Sequence, residues 1–454
     1  MTARVASRDV PPADHAPDGA DVVVIGAGPA GIAAAARAAE AGRRVVVLDE
    51  APNAGGQIWR HRTRTSLGSD ARRWLDRLSR TRADVRQGLA VVDVFGSDGA
   101  AGFTIVGERH RGGVDLLQAR AIVLATGARE LFLPFPGWTL PGVHGIGGAQ
   151  ALLKQGAPFR GKRVVIAGTG PLLLPVAASL TDVGARLLLV AEQAPFAAVR
   201  DFALSLLMQP ETLFQATMYR LAFLRTPYAT GTWVTGATGP DRLTSVTVTN
   251  GRATWTLPCD VLCTGYGLVP NVEMARHLGC TVQSGGVVVN ERQETSVPGV
   301  FAAGEVTGVG GVGLAVVEGE LAGAAAAGVG RMDASLVRQR RDLRAVASRL
   351  ERTFAVRQDV RSLATPDTVI CRCEDVRHHA VAGLGDSRQA KLYTRAGMGA
   401  CQGRVCGAAL GTLFGWSAGS VRTPLEPARL STLSVAAPAL ATSVSVHEPF
   451  SSGS

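Results

Sequence analysis

The chain has 454 residues, of which 46% are hydrophobic and 55 are Gly, and its formal net charge is +10. This length allows two or three domains with sizeable cores. The positive charge comes mainly from scattered Arg residues, without a long basic run or interleaved aromatic residues, so a nucleic-acid interface is not predicted.

The N-terminal segment and the cysteine content favour a cytoplasmic protein without a membrane span. Residues 1–20 are polar and rich in Pro, Ala and Asp, which predicts a disordered tail rather than a signal peptide. No apolar run reaches membrane-spanning length without charged or turn residues. Cys259, Cys263 and Cys280 show no disulfide framework, as expected in a reducing compartment.

A dinucleotide-binding motif follows the predicted tail. It consists, in order, of a strand, three glycines, a helix and a second strand: 21–25, Gly26, Gly28, Gly31, 32–41 and 44–48. The first glycine permits a tight turn, the second lets the backbone approach a pyrophosphate, and the third lets the helix pack close to the strand. Asp49 lies where a ribose-binding carboxylate belongs, with Glu50 beside it. The pattern predicts a site for an ADP-containing cofactor.

Three later segments have the character of cofactor contacts. Residues 55–60 form a Gly-rich loop that can reach the cofactor, and the predicted buried strand over 121–128 ends in an Ala-Thr-Gly turn. A predicted strand over 295–305 ends in an acidic residue, Glu305, and an apolar helix over about 311–323 follows. At both strand ends, a glycine lets the backbone pass close to a ligand.

A second nucleotide-type unit begins at residue 163, but its motif is degraded. Gly168 and Gly170 are present, whereas Leu173 replaces the third glycine. Counting from the glycines places Ala191 at the position of the ribose-binding acid, with Glu192 next. We expect a retained domain with weak or no nucleotide binding, with functional NAD(P) binding as the alternative.

Four cysteines near the C-terminus predict a metal site. They form two close pairs separated by 27 residues: Cys371, Cys373, Cys401 and Cys406. Glycines around the second pair let the backbone turn tightly and direct N–H groups at sulfur, which stabilises thiolates. A four-iron cluster, a two-iron cluster and a zinc ion all accept four cysteines, and the spacing does not choose among them.

These patterns predict an α/β fold with two Rossmann-like domains and a small C-terminal helical metal domain. The predicted divisions are a tail (1–20), a first nucleotide domain in two parts (21–150 and 271–330), an inserted NAD(P)-like domain (151–270), a helical connector (331–365), a cysteine domain (366–420) and an extended tail (421–454). Within the cysteine domain, two short helices are predicted at about 375–383 and 387–396.

The order of these motifs resembles the flavoprotein family of glutathione and thioredoxin reductases, over residues 21 to about 330. The resemblance implies one FAD domain built from the first motif and the late Gly-Glu segment, with an inserted NAD(P) domain. Those reductases use a redox-active cysteine pair close to the flavin, and this chain has no cysteine before Cys259. A disulfide reductase of that kind is therefore excluded.

A closer resemblance, over residues 50–410, is to the larger flavoprotein subunit of heteromeric amine dehydrogenases. It lies in six segments: 55–60, 126–130, 134–142, 265–271, 303–311 and 397–407. Opine oxidases, hydrogen cyanide synthase and D-hydroxyproline dehydrogenase are of this kind. The cysteine segment is similar to the [2Fe-2S] domain of bacterioferritin-associated ferredoxin, which implies a two-iron cluster.

The resemblance also implies a cofactor site and partners. The expected FAD contacts are Gly26, Gly28, Pro29, Ala30, Gly31, Asp49, Glu50, Gly56, Gln57, Ala125, Thr126, Gly127, Gly304 and Glu305. The amine would be oxidised on a smaller flavoprotein subunit resembling D-amino-acid oxidase, and a small ferredoxin-like subunit is a further expected partner. No obvious catalytic base lies in the nucleotide motifs, so we assign no catalytic residue here. The present chain would pass electrons through flavin and [2Fe-2S].

Two other functions fit the sequence. One is a self-sufficient NAD(P)H-dependent oxidoreductase with a ferredoxin-like tail, against which Leu173 and Ala191 argue. The other is an assembly subunit that holds a static ADP-containing molecule, such as ATP or NAD, with FMN at a subunit interface. The amine substrate is not readable, because the residues that would select it lie in another chain.

Overall fold

The first glycine motif lies in a mixed sheet. The computed structural model describes residues 18–61, 67–96, 102–417 and 421–441. Its first elements are β1 (Asp18–Ile25), α1 (Pro29–Glu40), β2 (Val45–Asp49), α2 (Ser69–Ser79), β3 (Asp84–Gln87), β4 (Leu89–Gly96), β5 (Phe103–Arg109) and β6 (Val114–Leu124). The strand order is β3-β2-β1-β6-β5-β4, parallel from β3 to β6 and antiparallel from β6 to β4.

The predicted N-terminal tail ends earlier than expected. Residues 18–20 belong to β1, because Asp18, Gly19 and Ala20 pair with the early part of β6. The prediction of a disordered tail up to residue 20 is therefore wrong for these three residues, and its remainder lies outside the described residues. The middle of β1 is fully buried, as expected for a parallel strand covered on both faces.

The second sheet is parallel and carries the second glycine motif. The elements here are β7 (Ala128–Glu130), β8 (Val143–Gly145), α3 (Ile146–Lys154), β9 (Arg163–Gly168), α4 (Leu173–Asp182), β10 (Arg186–Glu192), α5 (Phe196–Ser205), α6 (Pro210–Ala222), β11 (Tyr228–Thr230), β12 (Trp233–Thr238), β13 (Ser245–Thr249), β14 (Thr254–Pro258), β15 (Val261–Gly265) and β16 (Leu268–Pro270). The sheet order is β11-β10-β9-β15-β8, and β12, β13 and β14 form an antiparallel sheet of their own. Leu206–Met208 form a 3-10 helix between α5 and α6.

The boundary predicted at residue 151 lies too late. β8 precedes this residue, and α3 spans it. β8 nevertheless belongs to the second sheet, because it pairs in parallel with β15. The second domain therefore begins near Val143. β7 and β16 form an antiparallel ladder at the crossing between the two domains.

The chain then returns to the first domain. Its elements are α7 (Glu273–His277), β17 (Val282–Gln283), β18 (Gly286–Val287), β19 (Val300–Ala302), a 3-10 helix (Gly304–Thr307) and α8 (Gly311–Ala326). β19 adds to β6 in parallel, so the first sheet has seven strands. A Cβ on Gly319 or Gly323 would collide with the backbone carbonyl oxygen of Ala30 or Ala34. Glycine at these two positions lets α8 pack backbone to backbone on α1.

A long helix leads to the cysteine segment. The remaining elements are α9 (Ala334–Thr353), α10 (Gln358–Arg361), β20 (Val369–Cys371), β21 (Val376–Arg377), α11 (His378–Val381), α12 (Ser387–Thr394), α13 (Cys406–Phe414) and α14 (Leu430–Ala441). Asp333 caps α9 by accepting a hydrogen bond from the N–H of Ser335 at 2.8 Å. α11 and α12 lie where two short helices were predicted. The cysteine segment has a small core that includes Ile370, Val381 and Leu410.

The predicted extended tail is wrong for residues 430–441, which form α14. The segment before α14 lies on the first sheet, where the N–H of Leu425 donates to the carbonyl oxygen of Val92 at 2.7 Å. Glu108 on β5 accepts hydrogen bonds from the N–H of Arg429 and the hydroxyl of Thr432. Docking on the sheet gives this segment a fixed partner within its own chain. None of the helices in the described segments is long and apolar enough to cross a membrane.

Candidate functional site: a dinucleotide site beside paired cysteines

The glycine turn after β1 leaves no room for side chains at two positions. Gly26 has a φ of +105°, and a Cβ there would collide with the carbonyl oxygen of Ala125. A Cβ on Gly31 would collide with the carbonyl oxygen of Gly26. Pro29 occupies the first position of α1, where its missing N–H costs no hydrogen bond. The turn brings the partial positive charge of the α1 N-terminus to the sheet edge, where an anionic group can bind.

Two backbones face each other across this turn. A Cβ on Gly28 would lie 4.0 Å from the Cα of Gly56, and a Cβ on Gly56 would lie 3.0 Å from the Cα of Gly28. The loop after β2 therefore lies close to the glycine turn. Asp49 accepts hydrogen bonds from the N–H groups of Ala27 at 2.5 Å and Ala51 at 2.7 Å. Burial raises the pKa of Asp49 despite these two hydrogen bonds.

Glu50 and Gln57, two of the predicted cofactor contacts, lie at the surface. Both residues are exposed. The backbone carbonyl of Glu50 accepts from His110 Nε2 at 2.7 Å.

A lysine of the second domain reaches the loop after β2. Lys154 Nζ, on α3, donates to the carbonyl of Ile58 at 2.8 Å. Burial lowers the pKa of Lys154, and the nearby Arg60 lowers it further. Lys154 was not predicted from the sequence, although it is one of only three lysines in the chain.

The turn after β6 is held by Asn271, which directly follows β16. The Thr126 hydroxyl donates to the carbonyl of Asn271 at 2.8 Å, and the Asn271 side-chain amide donates to the carbonyl of Thr126 at 2.9 Å. The N–H of Asn271 donates to the carbonyl of Gly127 at 3.0 Å. Asn271 lies in the motif over 265–271 but was not predicted as a site residue, because its contacts join segments far apart in sequence.

Glu305 holds a buried carboxylate oxygen that lacks a partner. Its Oε1 accepts from the N–H of Gly311 at 2.9 Å, while Oε2 is buried and has no hydrogen-bond partner among the described residues. Burial raises the pKa of this carboxyl group. A Cβ on Gly304 would lie 2.8 Å from the Cβ of Ala30, so the 3-10 turn approaches α1 closely. An orphaned acceptor here suits a ligand that carries hydroxyl donors.

A second buried acid supports the same turn. Glu318 on α8 is fully buried, and its Oε2 accepts from the N–H of Gly304 at 3.0 Å and from the Thr307 hydroxyl at 2.8 Å. Its Oε1 accepts from Arg344 Nε at 2.8 Å, which ties the turn to α9. Glu318 was not predicted from the sequence. The sequence does contain a sign of this role, namely an acidic residue within an otherwise apolar helix. A buried carboxylate is stable only when an opposite charge or hydrogen-bond donors pair with it.

The second glycine unit keeps its acidic residue, contrary to the position counted from the sequence. In β9 and β10 the register is offset between Leu187 and Leu189, so Gly168 lies opposite Glu192 rather than Ala191. Glu192 Oε2 accepts from the N–H of Gly170 at 2.7 Å, and Oε1 accepts from the N–H of Ala194 at 2.8 Å. The assignment of Ala191 as the equivalent of Asp49 is wrong, because a β-bulge inserts one residue.

Glu192 resembles Asp49 in its contacts, because each accepts one hydrogen bond from an N–H of its glycine turn and one from the N–H two residues after itself. It is fully buried, and burial raises its pKa to about 7. Leu173 stands in the place of Gly31 and is likewise buried, as the first residue of α4. α4 begins three residues after Gly170, whereas α1 begins directly after Gly28. The fold of the unit is kept, while its helix begins farther from the glycines.

The four cysteines lie in two neighbouring pairs. Cys373 lies close enough to Cys401 for the two thiols to influence each other's pKa, and Cys371 lies close enough to Cys406 to raise the pKa of Cys406. Cys371 and Cys406 are buried, whereas Cys373 is exposed. In residues 18–61, 67–96, 102–417 and 421–441, no three His, Cys, Asp or Glu side chains are grouped so that they could hold a metal ion. The predicted metal site therefore stays a prediction.

Backbone N–H groups point at the sulfurs, as the surrounding glycines predict. The N–H of Gly397 donates to Cys371 Sγ at 3.5 Å. Burial raises the pKa of Cys401, but the N–H groups of Val405, Gly403 and Arg404 and the Cys373 thiol outweigh it. The net pKa of Cys401 is therefore lowered. This setting stabilises a thiolate.

Similarity to known proteins identifies the family of this chain. The model of the pyridine nucleotide-disulphide oxidoreductase family matches residues 20–328. The chain belongs to this family. An opine oxidase subunit of Agrobacterium tumefaciens (strain Ach5) is 31% identical over 94% of this chain and 93% of the relative. The hydrogen cyanide synthase subunit HcnB of Pseudomonas protegens is 32% identical over 85% of this chain and 89% of the relative.

Solved structures agree with the family assignment. Thioredoxin reductase of T. acidophilum is 26% identical, with a TM-score of 0.55 over 68% of this chain and 98% of that chain. L-proline dehydrogenase of P. horikoshii shares the fold, with 20% identity and a TM-score of 0.66 over 92% of this chain and 81% of that chain. The predicted family and the predicted Rossmann-type α/β fold are confirmed. This family member is an oxidoreductase subunit.

Proposed function

We propose that this chain is the electron-transfer flavoprotein subunit of a heteromeric dehydrogenase or oxidase acting on an imino acid or a secondary amine. One observation carries the proposal: a short hydrogen-bond chain joins the nucleotide loop to the cysteine loop. Thr126 bonds Asn271, Asn271 Oδ1 accepts from Arg129 Nη1 at 2.7 Å, and Arg129 Nε donates to the carbonyl of Arg404 at 3.0 Å. Arg404 lies between Cys401 and Cys406. Flavin and cluster sites joined in this way suit a relay.

The residues around the first glycine turn fit FAD. The α1 N-terminus and the turn at Gly28 would hold the pyrophosphate, and Asp49 would accept from the ribose hydroxyls. The orphaned Glu305 Oε2 would accept from a hydroxyl of the ribityl chain or bind near the pyrophosphate. FAD supplies two-electron acceptance when bound. Thr126, Gly127 and Asn271 would fix the loop beside it.

The paired cysteines support a [2Fe-2S] cluster over a single zinc ion. Zinc in structural sites draws four ligands around one centre, whereas each iron of a two-iron cluster takes two thiolates. The two neighbouring pairs Cys371 with Cys406 and Cys373 with Cys401 suit the latter arrangement. The exposed Cys373 would place one edge of such a cluster near the surface, where a one-electron partner can approach.

The similarity to the opine oxidase and hydrogen cyanide synthase subunits supports a partner chain. The nucleotide motifs offer no side chain as an obvious base for amine oxidation, so that step is assigned to a smaller flavoprotein resembling D-amino-acid oxidase. A small ferredoxin-like subunit is a further proposed partner. The amine is of the opine, hydroxyproline or glycine type, and the present chain relays its electrons.

Two measurements test this function. The protein purified without oxygen is denatured, the released nucleotide is identified, and iron and zinc are counted. FAD with about two irons per chain is expected. ATP or NAD without FAD favours an assembly role with FMN at an interface. Dye-linked amine oxidation is then compared for the chain alone and after co-expression with its partner. Comparable turnover by the chain alone contradicts the division of labour.

A further inference from the structure

The chain covers its own second nucleotide turn with the segment that follows α9. Three hydrogen bonds hold this segment at the carboxyl edge of the second sheet. The Thr169 hydroxyl donates to the carbonyl of Phe354 at 3.1 Å, and Gln193 Nε2 donates to the carbonyl of Ala355 at 3.0 Å. The N–H of Arg357 donates to Gln193 Oε1 at 3.0 Å. Thr169 lies between the two glycines of the motif, so the segment lies on the turn itself.

Side chains fill the space between these hydrogen bonds. A Cβ on Gly170 would lie 3.7 Å from Cγ of Phe354, so the phenyl ring rests on the second glycine. Phe354 is buried and packs edge-on against Phe202, with ring centroids 5.3 Å apart. The Arg357 guanidinium lies 4.7 Å from the ring centroid of Trp233.

The cover continues into α10. Val360 is 1% exposed and packs in one apolar cluster with Leu133, Trp233 and Tyr266. Tyr266 directly follows β15 at the same edge of the sheet, and its hydroxyl is buried without a hydrogen-bond partner in the described segments. The segment over 354–363 is therefore packed into the cleft, rather than resting on its rim.

A dinucleotide requires the space that Phe354 fills. In such folds the pyrophosphate lies over the second glycine, at the helix N-terminus. In the first unit the residue that faces Gly28 is also a glycine, Gly56, which puts no side chain into the corresponding space. In the second unit the residue that faces Gly170 is Phe354, whose phenyl ring fills this space.

We propose that residues 354–363 form an internal plug in the nucleotide cleft of the second domain. This domain then takes no free nicotinamide dinucleotide and instead anchors the connector that carries the cysteine segment. The consequence for electron supply rests on the proposed function: electrons reach the flavin from a partner chain and not from NADH or NADPH.

The plug, and not a missing acid, is what excludes the nucleotide. The carboxylate of Glu192 occupies the position that Asp49 occupies in the first unit. A ribose-binding group is thus kept at the cleft, although the plug covers the turn beside it. Removing the plug should therefore restore affinity for a dinucleotide, which a simply degraded site would not regain.

The test compares NADH binding to three full-length proteins by calorimetry, with FAD content and the melting temperature as checks on folding. The variant Phe354→Ala/Arg357→Ala opens the plug. The control Arg352→Ala changes an exposed residue shortly before it. We expect no saturable binding by the wild type or the control up to about 1 mM NADH, the upper range of ordinary KM values. The plug variant should bind NADH with a Kd of about 0.1 mM or lower, at least tenfold below this limit.

Saturable NADH binding by the wild type overturns the proposal, and so does a folded plug variant that binds no better. If the variant does not fold, hydrogen exchange of the wild type decides. Amides over 168–173 and 354–361 should be protected and unaffected by about 1 mM NADH. Faster exchange over residues 354–361 in the presence of NADH would show that the segment is a displaceable lid, which contradicts the proposal of a plug. NADH binding, the melting temperature and hydrogen exchange do not depend on FAD, the amine substrate or the cluster, so failure of the proposed function is recognised separately.

Discussion

Arg129 Nε donates a hydrogen bond to the backbone carbonyl of Arg404 at 3.0 Å, which joins a crossing strand to the loop between Cys401 and Cys406. The two residues are 275 positions apart in sequence. Arg129 also contacts Asn271 at 2.7 Å and Glu273 at 2.8 Å. One guanidinium thus links the nucleotide loop, the return to the first domain and the cysteine loop.

Arg129→Met should loosen the cysteine loop while leaving FAD bound. Hydrogen bonds to charged groups contribute about 1.5–3 kcal/mol each, and Arg129 is three-quarters buried, with 24% of its side chain exposed. Hydrogen exchange over residues 400–407 should rise at least tenfold. The control Arg120→Met removes a side chain that is 81% exposed and should leave exchange unchanged. Equal protection in both variants would contradict this role.

Cys401→Ser should abolish the visible absorption of the cluster without unfolding the nucleotide domains. The reason is that a hydroxyl replaces one of the four thiolate ligands, while the cysteine segment has its own small core. Iron analysis and visible spectra check the loss, and FAD content checks the fold. The matched control is Cys280→Ser, since this cysteine lies in the core of the first domain. Stoichiometric zinc in the wild type would overturn the cluster assignment.

Glu192 should make the protein lose stability as pH rises toward neutrality. Its pKa in the folded state is raised by burial to about 7, so the folded state binds the proton more tightly than the unfolded state. The stabilisation is complete below the unfolded pKa of about 4.3 and is lost as pH rises through about 7, with a total of about 4 kcal/mol.

Glu192→Gln should remove most of this pH dependence, because an amide does not ionise. Melting temperatures measured from pH 5 to 8 for the wild type and Glu192→Gln should diverge as pH rises. Glu351→Gln, at an exposed position on α9, serves as the control and should follow the wild type. Parallel curves for wild type and Glu192→Gln would show that Glu192 is ionised throughout.

Gly323→Ala should destabilise the first domain by about 1–3 kcal/mol, the usual cost of overpacking. A Cβ at this position would collide with the carbonyl oxygen of Ala34, and backbone cannot easily give way. Gly313→Ala lies on the same helix with nothing within 4 Å of its Cβ. The free energy of unfolding of this control should be unchanged or raised by up to about 1 kcal/mol, because Ala has a higher helix propensity than Gly. Urea denaturation of both variants makes the comparison, and equal destabilisation would contradict close packing of α8 on α1.

Local patterns in the sequence were enough for the order of the elements and the first nucleotide motif. The strand, glycine turn and helix from Asp18 to Glu40 follow the predicted pattern with an earlier start, because hydrophobic period and glycine position act over neighbouring residues. The cysteine spacing predicted the pairs Cys371 with Cys373 and Cys401 with Cys406, whereas the structure places Cys371 beside Cys406 and Cys373 beside Cys401. Fold class and family were predicted and are confirmed.

Only the tertiary structure decided which distant groups meet. A bulge at Leu188 moved the second acidic position from Ala191 to Glu192, and an irregularity of one residue leaves no mark in a count of positions. The contact of Arg129 with Arg404 and the covering of Gly170 by Phe354 join segments 184 or more residues apart. Such contacts depend on how preformed elements pack against one another, which a short sequence pattern does not encode.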